Sequence, residues 1–326
     1  MILVGDVGGT RARLTLLTPT GRHVRHEVLE SREHPSLEAV VMAFLGRTKP
    51  RPKVSAAAFG VAGPVVNNRC VATNLPWVVD GRVVARRTGI KRVTLMNDLV
   101  ALSLGALGVP KSKLRTLGSA GAPRRKGGNI AVIAAGTGLG EAMLVWNEGE
   151  FVPCATEGGH TDFAPASHLE DQLLGFLRTR FGRVSWERVV SGAGLGNIYD
   201  FFVQDRGVHE STENERFLLA AKDRNAAISE LAEGGRSEAA AQSVELFASL
   251  YGAEAGNLAL KTLAIGGVYV CGGIAVRMAE QLEASGFMRA FTAKGRLEAF
   301  MQQLPVAVVL DSDIGLAGAA RVALAR

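Results

Sequence analysis

Two stretches decide how this chain folds: GDVGGTRARLTLL, Gly5 to Leu17, and AVIAAGTGLGEAMLVW, Ala131 to Trp146. In the first, apolar Ile2 to Val4 leads into a Gly-rich turn at Asp6 to Thr10. The chain then returns with alternation at Ala12, Leu14 and Leu16, the period of two expected of a strand with one buried face. In the second, Ile130 to Ala134 reads as a strand, Gly136 to Gly140 as a glycine turn and Ala142 to Trp146 as the returning strand. Strand, Gly-Thr turn, strand therefore occurs twice, which predicts two related halves facing each other. Backbone amides in such turns converge on an anion because no Cβ blocks the approach, and Thr10 and Thr137 add hydroxyl donors. Two phosphate-cradling turns facing one cleft would serve a nucleoside triphosphate.

Better-known nucleotide motifs do not account for these glycines. A P-loop needs GxxxxGK followed by Ser or Thr, which no window supplies. A dinucleotide fingerprint needs GxGxxG opening a helix; Gly136 and Gly138 fit its first two positions, but Glu141 takes the third and the next residues alternate as a strand. The HRD and DFG motifs of protein kinases are absent.

Outward from the two turns, Ser36 is placed to cap a helix whose Leu37, Val40, Val41, Phe44 and Leu45 form one apolar face. Strands are expected at Val54 to Phe59 and at Val93 to Met96, the latter leading through Asn97 and Asp98 into a helix ending before Pro110. The Gly-, Lys- and Arg-rich segment from Lys111 to Gly128 is the first break in composition. Later come a long helix from about Ser237 to Leu263, stopped at Gly266 and Gly267, a strand at Val268 to Cys271 running into a helix, a strand at Val306 to Leu310 and a last helix from about Ile314.

Composition bounds the function classes. With 326 residues there is room for about two domains. Hydrophobic residues at 47% and charged residues at 21% exclude fibrous and disordered classes. The 39 glycines exceed the roughly 23 that average usage would give, so the excess belongs to turns and binding loops. Thirty-seven Lys plus Arg against 31 Asp plus Glu leave a net charge of +6, which favours anionic partners. Nucleic acid is not expected among them, because the richest basic run, Arg124 to Lys126, has no interleaved aromatics. Cys70, Cys154 and Cys271 are scattered and cannot form a closed disulfide framework, which fits a reducing cytoplasm. MILVGDVGG reaches Gly5 and Asp6 too early for a signal core, and no run approaches the ~20 apolar residues of a membrane span.

The polar candidates cluster in short motifs. Asn97 and Asp98 stand where a strand ends, where α/β proteins place ligand-binding groups; either also suits a helix N-cap. Glu157 and His160 flank Gly158 and Gly159 on a glycine-bent loop, with no second His or Cys nearby to make a metal set. Glu187 precedes another glycine cluster and reads by default as a surface glutamate, and Asn74 beside Leu75 and Pro76 reads equally as a turn residue.

DVGGT at Asp6 to Thr10, MND at Met96 to Asp98, GTGLG at Gly136 to Gly140, EGGH at Glu157 to His160, SGAGL at Ser191 to Leu195 and CGGI at Cys271 to Ile274 stand in the order of the bacterial glucokinases. The chain resembles that family, within the hexokinase, actin and Hsp70-like ATPase superfamily, over essentially its whole length. The resemblance implies a two-domain actin-like ATPase fold, an α/β ribonuclease H-like duplication with a central cleft. The small domain would be residues 1–109 plus 312–326 and the large one 110–311. It implies a cytoplasmic enzyme that phosphorylates glucose with ATP and magnesium, the first step of glycolysis, with neither nucleic acid nor membrane as partner and a homodimer as an open option. Asp98 would be the general base toward the sugar 6-hydroxyl. Asn97, Glu157, His160 and Glu187, with Asn74, would hold the remaining hydroxyls. Asp6 would act near magnesium through water. Gly8, Gly9, Thr10, Gly136, Thr137 and Gly138 would hold phosphates, and Gly272 and Gly273 would lie under the adenosine.

The chain departs from the family twice. Arg11 replaces the usual Asn after DVGGT, placing a fixed positive charge beside the phosphate turn, and Glu141 replaces a small apolar residue after GTGLG, as a charge at the turn's edge. The cysteine-rich zinc motif of the related repressor and sugar-kinase branch cannot be assembled from three scattered cysteines. Mannose, fructose or an N-acetylated hexosamine as acceptor, or a catalytically weak sugar sensor, are the competing readings.

Overall fold

The computed structural model describes residues 1–72, 75–124 and 126–325. They form two compact units, one of residues 1–110, 152–155 and 311–326 and the other of residues 111–151 and 156–310. In chain order the elements are β1 (Ile2–Val7), β2 (Arg11–Leu17), β3 (His23–Glu30), α1 (Leu37–Gly46), β4 (Ala56–Val61), β5 (Val65–Val66), β6 (Arg69–Val71), β7 (Val78–Asp80), α2 (Gly81–Thr88), β8 (Arg92–Asn97) and α3 (Asp98–Ala106). Then follow β9 (Leu114–Leu117), β10 (Ile130–Ala135), β11 (Leu139–Asn147), β12 (Glu150–Thr156), α4 (His168–Phe181), α5 (Gly192–Gln204), α6 (Thr212–Ala220), α7 (Arg224–Glu233) and α8 (Glu238–Thr262). The chain ends with β13 (Gly267–Cys271), α9 (Gly272–Arg277), α10 (Ala279–Ala284), α11 (Phe287–Thr292), α12 (Glu298–Met301), β14 (Val306–Val309) and α13 (Ile314–Leu324).

The repeat seen in the sequence is a repeat in the sheets. The first unit carries the order β3-β2-β1-β4-β8, and the second sheet runs β12-β11-β10-β13-β14-β9. In each, a glycine-turn hairpin (β1 with β2, β10 with β11) is antiparallel, and its first strand then pairs in parallel with a later one (β4, β13). A parallel neighbour follows in both, β8 beside β4 and β14 beside β13. Ala12, Leu14 and Leu16 are buried on β2 and Ala142 and Leu144 on β11, as expected, but Thr15 and Leu17 are buried too, so the far half of β2 is covered on both faces and not on one.

Helices close the faces of each sheet. Ser36 accepts the Ala39 amide at 3.4 Å and starts α1, whose Leu37, Val40, Val41, Phe44 and Leu45 are all buried; such a cap contributes about 1 kcal/mol. In the second unit α8 is apolar around most of its circumference, as a helix inside a core must be. Its end differs from the expected glycine stop. Leu263 itself takes the left-handed conformation (φ 46°), which lets the Ala264 amide close on the Ala259 carbonyl at 2.9 Å while Ala264 is buried. The glycines at 266 and 267 serve the next step instead, where a Cβ on Gly267 would press on Pro123 and Pro305.

Candidate active site

In the first unit, β1 and β2 deliver Asp6 and the Gly8–Thr10 turn. The Gly8 amide donates to the Arg11 carbonyl at 3.0 Å and so closes the hairpin. Ser31, directly after β3, braces the turn, its amide donating to Thr10 O at 2.7 Å and its hydroxyl to Gly8 O at 2.9 Å. Asp6 faces Arg13 in the hairpin register, and the guanidinium donates to Asp6 Oδ2 at 2.6 Å and to Asp313 Oδ1 at 3.2 Å. Burial pushes the Asp6 carboxyl above its ordinary value, Arg13 opposes that push, and Asp313 adds to it.

Both members of the Asn97–Asp98 pair suit a cap, and the structure divides the roles. Asn97 is the cap: its Oδ1 accepts the Leu99 and Val100 amides at 2.9 and 3.3 Å, and its Nδ2 donates to Gly63 O at 3.2 Å. Buried and tied down in this way, it has one Nδ2 hydrogen with no acceptor among the described residues. Asp98 occupies the first turn of α3, where the partial positive charge of the helix N-terminus favours a carboxylate. Asn74 lies outside the described residues.

In the second unit the glycine turn is held from both sides, Gly136 N donating to Gly138 O at 2.8 Å and Gly192 N, at the start of α5, donating to Gly136 O at 2.8 Å. Glu187 is no isolated surface residue. Its Oε2 accepts the Leu139 amide at 3.0 Å and lies where a Cβ on Gly138 would sit, while its Oε1 is 4.0 Å from His160 Nδ1. Glu187 thus links the GTG turn to the EGGH turn. The latter forms a 3-10 turn over Gly158–His160 after Glu157, and Arg183 holds it by donating to the His160 carbonyl at 2.7 Å. Gly159 is required there because a Cβ would strike the Leu139 carbonyl. Gly272 has a φ of +92° and passes against the Ala135 carbonyl, so a side chain would be both strained and obstructed.

Two residues without an assigned role in the sequence, Arg13 and Tyr251, and one read differently there, Glu141, shape these turns. Arg13 was legible in principle, since a hairpin through Gly8 to Thr10 sets it opposite Asp6. Tyr251 carried no local signal: fully buried in α8, its hydroxyl accepts the Ala135 amide at 3.1 Å and donates to the Cys271 carbonyl at 3.2 Å, pinning the ends of β10 and β13. Glu141 overturns its reading as a turn-edge charge. Because β11 begins at Leu139, Glu141 is a strand residue and is 1% exposed. Among the described residues no cluster of three His, Cys, Asp or Glu is set to hold a metal ion.

The Glu187 link can be tested. Glu187→Gln keeps the shape but replaces a charge-assisted acceptor with a neutral one, so kcat/KM for the sugar is expected to fall about tenfold, the loss of roughly 1.5 kcal/mol. Steady-state kinetics check this, and an unchanged kcat/KM would remove Glu187 from the site.

Comparison with known proteins gives the arrangement its family. A family model described as Glucokinase matches residues 3–326. The glucokinase of Synechocystis sp. is 40% identical over 346 residues, covering 98% of this chain and 96% of that protein. That of Trichormus variabilis is 38% identical over 336 residues, covering 98% of each. Among solved structures, a glucokinase from an Antarctic psychrotroph superposes with a TM-score of 0.83 at 30% identity, over 99% of this chain and 98% of that one. The duplicated sheet order is accordingly that of the actin-like ATPase fold, and the chain, matched from end to end by these relatives, belongs to the glucokinase family.

Proposed function

We propose that the chain transfers the γ-phosphoryl group of ATP to the 6-hydroxyl of glucose, giving glucose 6-phosphate and ADP. Full-length glucokinase relatives support ATP-dependent glucose phosphorylation. The observation that carries the reading to residues is Asp98, a carboxylate in the first turn of α3, whose Oδ1 accepts the Leu99 amide at 3.0 Å while Asn97 caps the helix. Asp98 accepts the proton of the sugar hydroxyl as that oxygen bonds to the γ-phosphorus and the bond to the β-phosphate oxygen breaks. Asn97, Glu157, His160 and Glu187 hold the other hydroxyls. A pyranose demands several such partners, because each buried polar group left unmet costs about 1 to 3 kcal/mol. Closure about the substrates would exclude water from the phosphoryl group.

Phosphates go to the two glycine turns, at Gly8, Gly9 and Thr10 and at Gly136, Thr137 and Gly138, with adenosine over Gly272 and Gly273. Magnesium fits this donor set only through water and phosphate oxygens. One oxygen of Asp6 is engaged by Arg13, and magnesium commonly keeps several waters while taking one or two carboxylates. When bound it neutralises charge on the phosphates. The three free thiols support a reducing, cytoplasmic setting, and no helix among the described residues is long and apolar enough to cross a membrane.

The deciding experiment is ADP release with magnesium and ATP, with and without glucose. Glucose-dependent release supports the reading. Faster release with mannose, fructose or an N-acetylated hexosamine would change the acceptor, and glucose binding without any turnover would make the chain a sensor.

Arg11 gives a narrower prediction. It is two-thirds exposed, at the start of β2, and paired with Glu30 at 3.3 Å, so its charge stands beside the phosphate turn in screened surroundings. Arg11→Asn is expected to raise the KM for ATP about threefold, and more at low ionic strength. Unchanged kinetics with ATP and with polyphosphate would show that the departure has no role in donor choice.

A further inference from the structure

Glu141 and Glu254 form a buried carboxyl pair beneath the EGGH turn. Glu141 is 1% exposed and Glu254 fully buried, and their carboxyls are within hydrogen-bond reach of each other. With both drawn as carboxylates, the Oε1 atom of each is a buried acceptor without a hydrogen-bond donor among the described residues. Asn257 donates to Glu254 Oε2 at 2.8 Å, and Lys261 Nζ lies 3.5 Å from Glu254 Oε1. One lysine balances one negative charge, and a single proton shared by the carboxyls answers the rest of the mismatch.

The pair touches the sugar turn directly. Glu141 Oε2 occupies the space a Cβ on Gly158 would need, with the carboxyl carbon 2.8 Å from that position. The backbone repeats the connection, since the Glu141 carbonyl accepts Thr156 Oγ1 at 3.3 Å and that oxygen accepts the Gly158 amide at 3.0 Å.

We propose that Glu141, paired with Glu254 under Gly158, is a positioning residue that sets the height of the Glu157–His160 turn and does so as a carboxylic acid. The proposal rests on the assignment of that turn to glucose. Burial, and then the charge of Glu254, push the Glu141 carboxyl up to about 8, with Lys261 opposing. The other titratable groups around the pair are Tyr251 on α8 and, behind Glu254, Lys294 and Glu170. Loss of the proton would leave two adjoining carboxylates against one lysine, and their repulsion would drive Glu141 against the glycine. The sign follows from linkage: a folded-state value above the unfolded one gives stability that is complete below about 4.5 and lost as pH rises through about 8.

The test is Glu141→Gln, whose amide donates to Glu254 in the same shape and cannot ionise. In the wild type the KM for glucose is expected to rise about tenfold between about pH 7 and pH 9.5, as the competent fraction falls, while kcat changes less than about twofold. In Glu141→Gln the KM should match the wild type at about pH 7 and stay flat, and the infrared band of a buried carboxylic acid should disappear. Faster amide hydrogen exchange over residues 158–161 in the wild type than in the variant at alkaline pH would give the same result without sugar. A flat wild-type KM, superimposable profiles for the two proteins, or a carboxylic-acid band that survives in the variant would each overturn the role given to Glu141. No ADP release with glucose by the wild type at any pH would instead overturn the sugar assignment, and this inference with it.

Discussion

Replacing Asp98 with Asn should lower kcat by about 10²- to 10⁴-fold, the range for loss of a positioned general base, while glucose binding measured by calorimetry stays within a few fold. The amide retains the size of the side chain and one acceptor oxygen but cannot take up the hydroxyl proton. The fold should survive, because the helix cap is Asn97 and the amide keeps an oxygen to accept the Leu99 amide as Asp98 Oδ1 does at 3.0 Å; what is lost to α3 is a favourable charge in the first turn, worth about 0.3 to 1 kcal/mol. Cys70 feels the same carboxylate, its buried thiol being pushed up first by burial and then by the charge of Asp98. Turnover near the wild-type rate with normal glucose binding would refute the general-base assignment. Loss of glucose binding together with turnover would make Asp98 a binding group.

The repeated hairpins were legible because their signals are local. Alternation at Ala12, Leu14 and Leu16 and the glycine turns at Gly8 and Gly136 lie within a few residues of the strands they join. Helix α1 was legible for the same reason, from a cap and five apolar positions on one face. What escaped depends on partners distant in the chain. Glu141 looks like an edge charge until Glu254, from the middle of α8, is placed against it. Glu187 looks like a surface glutamate until β11 brings the Leu139 amide to it. The Asn97–Asp98 pair is ambiguous in sequence because both side chains can accept the first helical amides; Asn97 is the cap because its Oδ1 takes the Leu99 and Val100 amides, with Nδ2 anchored on the distant Gly63 carbonyl. Leu263 was hidden behind the general preference for glycine at a helix end, which tertiary packing of Ala264 overrides.

Gly318→Ala should destabilise the protein by about 2 to 4 kcal/mol and lower kcat by about a hundredfold, although alanine is the better helix former by about 1 kcal/mol. Helices α3 and α13 cross with their backbones in contact. A Cβ on Gly318 would fall inside the Ala101 carbonyl, 2.7 Å from its carbon and 2.8 Å from Gly105 N. Gly105 is its mirror, a Cβ there meeting the Ile314 carbonyl, with the carbon at 2.7 Å and Gly318 N at 3.1 Å. No flexible side chain tip can yield, so the helices must separate, and each is seated on the sheet by its own apolar residues, Ala101 from one and Leu316, Ala319 and Ala323 from the other. Separation carries function with it. The N-terminus of α3 holds Asp98, and the approach to α13 holds Ser312 and Asp313, which fix Arg13 and through it Asp6. A shift of about 1 Å therefore misplaces Asp98, the proposed base, and Asp6, the carboxylate proposed to act near the phosphates, together. Gly175→Ala is the matched control, because Gly175 lies inside α4 with nothing within 4 Å of a Cβ, and the same substitution there should stabilise by about 0.5 to 1 kcal/mol. Denaturant unfolding of both variants, with kcat measured in parallel, checks the pair. A Gly318→Ala protein as stable and as active as the wild type would show that the helices can part without disturbing Asp98.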